Sequence, residues 1–304
     1  SPGKNTLFFC SRTETLDGTQ VSFPTTLTKP NSSWVDGLTI DISEIPTVNG
    51  SVTMDSKFAV TMTDTTRNLK GNGIPNHPVG IFPIEEGTEA YDIYSTLPAG
   101  GYANAAEIPI KLYNLDVTLP RYPTVNAEAA CIEALMLGVS IQTGAAWHVD
   151  YAVDASYQAV DPSAALPTDL CWGHPYETKY HYHGYSWKCF PDQGEKDEHS
   201  PLFGYALDGF GIYGPRSEGG VPVTNDDLDD CHGHVHMIEW DDDEMIEMYH
   251  YHVNNEYPYT LGCFRGTPIK INSDEGGNGT SGGVNVRAGW VLGVASVVAA
   301  FVFA

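Results

Sequence analysis

The sequence predicts a mainly β, sandwich-like protein in which one histidine-rich strand pattern occurs twice. Short alternating runs of apolar and polar residues recur, as at residues 38–42 (Leu-Thr-Ile-Asp-Ile) and 58–62 (Phe-Ala-Val-Thr-Met). Asn-Gly, Gly-Gly and Pro-containing turns separate such runs, a rhythm typical of antiparallel sheets. The second observation is a Tyr-His-Tyr-His tetrapeptide at residues 180–183 and again at residues 249–252. With 304 residues and 41% apolar content, the chain can bury one large core or two smaller ones.

Four regions follow along the chain. Residues 1–33 are polar and turn-rich with one apolar knot, and we expect an extended arm. Residues 34–272 form the β domain, as one unit or as two β subdomains divided near residue 160. Residues 273–287 are a Gly/Ser/Asn-rich spacer, and residues 288–304 are an apolar tail.

Within the β domain, two segments have specific expectations. Residues 127–137 are the one helix candidate, although residues 139–141 directly after them suit a strand equally well. The aromatic and glycine-rich segment 201–215 predicts a tight hairpin with Asp208 and Gly209 at its tip. We expect Asp208 to be a turn former there rather than a residue of the metal region.

The apolar tail has two interpretations. Its 15-residue run, 290–304, is shorter than the roughly 20 residues that span a bilayer as a helix. Small residues, a polar spacer and a short apolar end are typical of a glycolipid-anchor signal, which is removed. If the tail is retained, its Val and Phe content suits a strand in its own domain or in the sheet of a neighbouring copy. The expected partners are therefore copies of the same chain, and a membrane only through a lipid anchor.

The charge of the chain excludes one class of partner. Fifteen basic and 39 acidic residues give a formal charge of -24, which repels phosphate backbones, so we expect no nucleic-acid binding. Cations are the natural ligands, although most of the carboxylates serve only solubility.

Cysteines and glycosylation acceptors indicate an extracellular or cell-surface glycoprotein. The six cysteines are even in number and form no CxxC pair. Asn31, Asn49 and Asn278 each begin an Asn-x-Ser/Thr acceptor. Both features are typical of an oxidising compartment. Fifteen pairings are open to six cysteines; we expect Cys171 with Cys189 and Cys231 with Cys263, since each pair encloses one tetrapeptide, which leaves Cys10 with Cys131.

The tetrapeptides predict metal binding because of how strands present side chains. Each follows the same prelude, Asp-x-Cys-x-Gly-His, at residues 169–174 and 229–234. Side chains at i and i+2 of a strand share a face, so the paired imidazoles point one way and the tyrosines the other. The predicted ligands are His77, His174, His181, His183, His234, His250 and His252, with His148, His232 and His236 as possible supplements.

Imidazole nitrogens suit copper or zinc, and the two histidine sets predict one or two ions, in separate sites or in one composite site. The competing interpretation is a polar core in which the rings bond carbonyls and one another. Acidic residues 226–230 and 241–244 could bind calcium, although no spacing matches an EF-hand and a solvated loop is the simpler interpretation. His77 itself lies between prolines in a stiff turn, where a surface position is an equal alternative.

Companion motifs add a family resemblance. In order, they are residues 76–78 (Asn-His-Pro), 207–210 (Leu-Asp-Gly-Phe), 214–215 (Gly-Pro), 257–260 (Tyr-Pro-Tyr-Thr) and 263–266 (Cys-Phe-Arg-Gly). With both tetrapeptides, they make the chain resemble the YHYH-domain family over roughly residues 73–266. The resemblance implies a secreted domain and no particular reaction. The chain has Gly211 where the family has proline.

Together these observations predict an extracellular metal-binding β protein whose metal is structural and which self-assembles into a fibre through its tail or arm. The alternative is a surface-anchored copper or zinc enzyme, an oxidoreductase or hydrolase. The sequence contains no His-Glu-x-x-His or phosphate-loop motif.

Overall fold

The computed structural model of the chain describes residues 2–11, 13–16, 19–22, 24–28, 35–96, 107–153, 159–160, 162–163, 166–241 and 244–271. The predicted acceptors Asn31 and Asn278, the spacer 273–287 and the tail 288–304 lie outside these residues. The proposed anchor or assembly strand and the domain boundaries therefore stay predictions.

The described part of the chain is mainly β, as predicted. Strands β1 to β9 are Thr6–Phe8, Thr13–Leu16, Thr19–Ser22, Thr26–Thr28, Val35–Asp36, Thr39–Ile40, Phe58–Met62, Thr66–Gly71 and Leu115–Pro120. Strands β10 to β19 are Met136–Ser140, Ala146–His148, Ala152–Val153, Ala159–Val160, Gly173–Tyr176, Lys179–Tyr182, Leu202–Ala206, Gly211–Tyr213, Gly233–Glu239 and Met245–His252. The helix α1 is Glu89–Thr96, and 3₁₀ turns lie at Glu218–Gly220 and Asn225–Asp227.

The main sheet has eight strands in the order β14-β15-β11-β10-β16-β17-β19-β18. Its two halves have the same construction. In the first, hairpin β10-β11 pairs in parallel with hairpin β14-β15 through β11 and β15. In the second, hairpin β16-β17 pairs in parallel with hairpin β18-β19 through β17 and β19. The antiparallel pair β10-β16 joins the halves at the centre. The repeated tetrapeptides thus belong to one four-strand unit used twice, related by a pseudo-two-fold axis at the β10-β16 pair.

A smaller antiparallel sheet, β7-β8-β9, shares the hydrophobic core with the main sheet. Leu69 of β8 and Val117 of β9 are fully buried in that core. Arg67 of β8 is buried beside them, with its guanidinium 3.6 Å from the ring centre of Tyr205 and 2.6 Å from Asp241 Oδ2. Because a buried charge is costly unless it is paired, this contact holds the small sheet in one position on the large one.

The described residues near the N-terminus dock on the domain. β1 pairs with β4, and Leu7 and Phe9 are buried in the main core. Phe9 also forms a parallel bridge with Ile132. The disulfides are Cys10–Cys131, Cys171–Cys189 and Cys231–Cys263, the pairs expected from the sequence.

The helix expected at residues 127–137 is wrong, and the strand alternative beside it is confirmed as β10. Ala130 bridges Phe264 and Ile132 bridges Phe9, with the disulfide-bonded Cys131 between them. Partners on alternate residues require extended backbone, which overrides the helix propensity of the segment.

The helix α1 forms at a different place in the chain and was not predicted from the sequence. The Thr88 hydroxyl accepts a hydrogen bond from Tyr91 N at its start, and Glu89 and Asp92 lie in the first turn, where negative charge suits the helix dipole. Tyr94 anchors it in a small second core cluster. Within the described ranges, no helix has the length and hydrophobicity to cross a bilayer.

The hairpin expected at residues 201–215 is β16-β17. Asp208 accepts hydrogen bonds from Phe210 N (3.2 Å), Gly266 N (2.9 Å) and the Tyr251 hydroxyl (2.6 Å). It therefore shapes the turn and also fixes a tyrosine of the second tetrapeptide, and it is fully buried.

Gly173 and Gly233, the glycines of the two preludes, give a test of the duplicated packing. A Cβ atom at either residue would lie 2.3 Å from a tyrosine hydroxyl, of Tyr180 or Tyr249. We expect Gly173→Ala and Gly233→Ala each to lower the free energy of unfolding by about 1–3 kcal/mol, measured by urea denaturation. Gly3→Ala is the control, since its nearest contact would be an ordinary 3.6 Å. Equal stability of all three variants would contradict the packing described.

Candidate metal centres

The first prelude folds into a turn held by a buried carboxylate. Asp169 Oδ1 accepts hydrogen bonds from Cys171 N (2.9 Å) and Gly173 N (3.2 Å). The Tyr180 hydroxyl donates to the same carboxylate, at 2.9 Å from Oδ2. Burial raises the pKa of Asp169 to about 6. The aspartate of the motif therefore organises the turn and orients a tyrosine of the tetrapeptide.

The second prelude repeats this turn. Asp229 Oδ1 accepts hydrogen bonds from Cys231 N (2.9 Å), Gly233 N (3.2 Å) and the Tyr249 hydroxyl (3.0 Å). The same donors occupy the same positions of the motif in both copies. The repeated sequence motif therefore forms the same hydrogen bonds in both copies.

With the tyrosines fixed on one face, the histidines face the other. The register of β14-β15 places His174 opposite His181, and the register of β18-β19 places His234 opposite His250. Side chains of such cross-strand pairs are within contact of each other. The last histidine of each tetrapeptide, His183 or His252, follows two residues later on the same face.

The first histidine group consists of His174, His181 and His183. His183 Nε2 lies 2.9 Å from His174 Nε2 and 3.2 Å from His181 Nε2. None of the three residues is more than 7% exposed. Metal–nitrogen bonds of 2.0–2.1 Å in a tetrahedral site separate the ligand nitrogens by about 3.3 Å, so the spacing of these atoms is close to that of a metal site.

The opposite ring nitrogens of this group are already engaged. His181 Nδ1 lies 3.2 Å from the Lys179 carbonyl oxygen, and His183 Nδ1 lies 2.8 Å from Asp150 Oδ1. Both partners are acceptors, so both Nδ1 atoms bear the proton in the neutral rings. The Nε2 atoms of His181 and His183 then face each other as lone pairs. A cation between them removes that repulsion.

The second group consists of His199, His234, His250 and His252. His199 Nε2 lies 3.2 Å from His250 Nε2, and His234 Nε2 lies 3.0 Å from His252 Nε2. The ligand atoms of each group lie within 4.8 Å of one another, and the groups share no residue. Within the described part of the chain, the two tetrapeptides therefore contribute to two separate histidine groups rather than to one composite group.

The rings of the second group are held by hydrogen bonds to acceptors in the same way as those of the first. Nδ1 of His199, His250 and His252 lies 2.7, 3.1 and 2.5 Å from the carbonyl oxygens of Ser200, Met248 and Gly214, respectively. The His234 ring also hydrogen-bonds the Asp227 carbonyl. Carbonyls accept only, so neutral rings direct unprotonated Nε2 atoms at one another here as well.

Burial keeps these rings neutral. It lowers the pKa of His250 to about 2 and that of His234 to about 4. It holds the pKa of His174, His181 and His252 well below the usual value, assisted by neighbouring imidazoles. Neutral imidazole is the form that ligates metal. All six cysteines are in disulfides, and the candidate ligand atoms found in the two histidine groups among the described residues are imidazole nitrogens.

Of the predicted ligands, His77 is placed elsewhere. Its Nε2 lies 2.5 Å from the Tyr182 hydroxyl oxygen and its Nδ1 lies 2.8 Å from the Pro78 carbonyl oxygen. Cys171 Sγ and Cys189 Sγ are also close, but a disulfide offers no thiolate. His77 supports a tetrapeptide tyrosine from the opposite face of the strand.

Two of the supplementary histidines have distinct positions. His232 Nδ1 lies 2.8 Å from the carbonyl oxygens of both His252 and Thr260, and its Nε2 lies 2.7 Å from Asn225 Oδ1. These contacts match the carbonyl-bonded interpretation rather than metal ligation. His148 instead stacks on His181, with ring centres 4.0 Å apart.

The sequence analysis missed His199 as a member of the second group. It lies in the loop before β16, 51 residues before His250, and has no counterpart in the tetrapeptides or preludes. Only the folding of the second hairpin beside this loop brings it into the group.

Several acidic residues proposed for calcium have other contacts. Asp229 organises its turn, and Asp241 Oδ2 lies 2.6 Å from both Arg67 and Arg121 side-chain nitrogens. Asp227 accepts hydrogen bonds from the amide and hydroxyl of Thr224. Calcium binding at residues 226–230 and 241–244 stays a prediction.

Comparison with known families supports the sequence resemblance. A family model described as YHYH protein matches residues 116–222. This range contains the first tetrapeptide and His199, whereas the second tetrapeptide lies beyond it. No curated protein and no solved structure matches the chain.

The lowered histidine pKa values predict an acid-sensitive fold. Below the unfolded-state value of about 6.5 the unfolded chain binds more protons than the folded chain, so stability falls as pH drops. Asp208 and Asp169 oppose this, since burial raises their pKa. We therefore expect metal-free wild type to lose more stability between pH 7 and 5 than a His181→Ala/His250→Ala variant, which retains both carboxyls. Parallel stability curves by urea denaturation would contradict the assignment of buried neutral rings.

Proposed function

We propose that this chain, whose residues 116–222 match the YHYH family, is an extracellular or cell-surface protein that binds two copper or zinc ions, one in each half of its main sheet. One observation supports this above all: the Nε2 atoms of each histidine group converge while the Nδ1 atoms of at least two rings in each group are held by acceptors. Neutral rings arranged in this way attract a cation.

The ligand set favours copper or zinc over magnesium or calcium. Imidazole is a common ligand of zinc, copper, iron and nickel, whereas calcium and magnesium prefer oxygen. The formal charge of -24 attracts cations to the protein in general. The buried imidazoles then provide the selectivity that surface carboxylates lack.

A structural role follows from where the ligands lie. In the first half, the group ties β14 to the end of β15; in the second, it ties β18 and β19 to the loop before β16. These hairpins are the outer strands of the sheet. An ion that binds only the folded chain stabilises it by mass action, so each metal would hold an outer hairpin in place.

The disulfides and an exposed glycosylation acceptor support the proposed extracellular location. Three disulfides are compatible with an oxidising compartment. Asn49, an acceptor position in the described chain, is exposed. Self-assembly through the tail or the N-terminal segment stays a further prediction, since residues 288–304 are outside the described ranges.

The alternative, a surface-anchored copper or zinc enzyme, has one specific observation in its favour. The first group offers three imidazoles, and three protein ligands are typical of catalytic zinc sites, where a fourth position takes water or substrate.

Metal analysis of matched double variants tests the proposed function. We expect purified wild type to hold two equivalents of copper or zinc by elemental analysis, and His181→Ala/His183→Ala and His250→Ala/His252→Ala to hold one each. Each variant should also melt at a lower temperature, because the lost ion stabilises only the folded form.

His77→Ala is the matched control, since His77 belongs to neither histidine group. It should retain both equivalents. Unchanged metal content in both double variants, or no uptake by wild type from micromolar copper or zinc, would overturn the proposal.

A further inference from the structure

We infer that the two metal sites differ in kind: the second is a closed four-imidazole site, and the first holds its ion through three imidazoles and takes a small exogenous ligand in the fourth position. This inference rests on the proposed function and deepens it. It assigns the reactive chemistry of the protein to the first site.

The pseudo-symmetry of the main sheet identifies what the first site lacks. Met136 pairs with His148 in the β10-β11 hairpin, and Leu202 pairs with Tyr213 in the β16-β17 hairpin. Met136 and Leu202 therefore occupy matching positions at the starts of β10 and β16.

Three residues before each of these positions lie Glu133 and His199. His199 completes the second group. The Glu133 carboxylate instead lies 3.6 Å from Lys270 Nζ on a side chain that is about half exposed. Among the described residues, the histidine, cysteine and acidic ligand atoms grouped at the first site are the three imidazoles alone.

The matching positions at the ends of β11 and β17 also differ. His148 lies in the first half and Tyr213 in the second. The Tyr213 hydroxyl donates to the Glu239 carbonyl at 3.0 Å and so has a partner of its own. His148 stacks on His181, is buried, and its Nδ1 has no hydrogen-bond partner within the described chain.

A buried ring nitrogen without a hydrogen-bond partner destabilises the folded chain unless it gains such a partner. At this matched position the first site therefore has the hydrogen-bonding ring of His148 and the second has Tyr213. The histidine that stacks beside the second site, His236 on His234 with ring centres 4.2 Å apart, comes from β18 instead. A ligand bound to the metal of the first site can be held by the His148 nitrogen.

The carboxylate behind the first site supports the same assignment. Asp150 Oδ1 lies 2.8 Å from His183 Nδ1 and accepts hydrogen bonds from the backbone and hydroxyl of Ser163, at 3.2 and 2.7 Å. In the second half, His252 Nδ1 is held by the neutral carbonyl of Gly214. A carboxylate that is hydrogen-bonded to an imidazole makes that imidazole a stronger metal ligand. This stronger binding compensates for the first site having three imidazoles where the second has four.

The burial of the site limits what can bind. His174, His181 and His183 are at most 7% exposed, so the exogenous ligand is water, hydroxide or a small anion. Azide is a suitable probe, since it is small, anionic and changes the visible spectrum of cobalt(II) when it joins the coordination shell.

The experiment uses cobalt(II) in the two double variants that isolate each site. In His250→Ala/His252→Ala, which retains the first site, we expect azide to change the cobalt spectrum with saturation. In His181→Ala/His183→Ala, which retains the second, azide should leave the spectrum unchanged. Adding His199→Ala to the latter variant should make its cobalt responsive, because it removes the fourth imidazole.

A further variant tests His148. In the first-site protein, His148→Phe should retain cobalt but bind azide about ten-fold more weakly. Circular dichroism would establish that each variant is folded.

The outcomes separate the two hypotheses. Failure of folded wild type to bind cobalt, copper or zinc contradicts the proposed function and this inference with it. Cobalt bound at both sites with equal azide responses, or with none, contradicts the inference alone.

Discussion

The structure depends on keeping several uncharged imidazoles buried with their lone pairs directed at a common point. In both groups Nδ1 atoms are held by carbonyl or carboxylate oxygens, which fixes the tautomer and leaves Nε2 unprotonated. Burial prevents the rings from relieving this by protonation, since it lowers the pKa of His250 to about 2. A cation at that point would satisfy the converging lone pairs together, so the proposed function couples metal binding to the stability of the outer hairpins.

The rest of the fold serves to hold these rings in place. In each half an aspartate organises the turn of the prelude and accepts a hydrogen bond from the first tyrosine of the tetrapeptide. The tyrosines fix one face of the strand in the core, so alternation directs the histidines to the other. Thr260 connects the halves, because its hydroxyl donates to the His183 carbonyl and its own carbonyl accepts from His232, which also bonds the His252 carbonyl. The backbones of the two sites are thus linked through one threonine and one histidine.

The sequence predicted what depends on local pattern and missed what depends on the path of the chain. The mainly β fold, the hairpin around Asp208 and the membership of His174, His181 and His183 in one group follow from alternation and from the repeat. The expected helix at residues 127–137 failed because a disulfide and two bridges impose extended backbone there.

His77 and His199 show the limit most clearly. His77 lies in a motif of the family resemblance, yet it bonds the Tyr182 hydroxyl on the core face of the strand. His199 belongs to no motif, yet it reaches the second group from a loop before β16. The spacing of residues in the sequence could not predict where His77 and His199 lie. Both positions depend on which loop the sheet topology brings beside each hairpin.

X-ray absorption at the metal edge of copper- or zinc-loaded protein tests the central claim most directly. We expect nearest neighbours that are nitrogen or oxygen at about 2.0 Å, the outer-shell scattering characteristic of several imidazole rings, and no sulfur. A shell of oxygen alone, as surface carboxylates would give, or a spectrum indistinguishable from the free ion would contradict it.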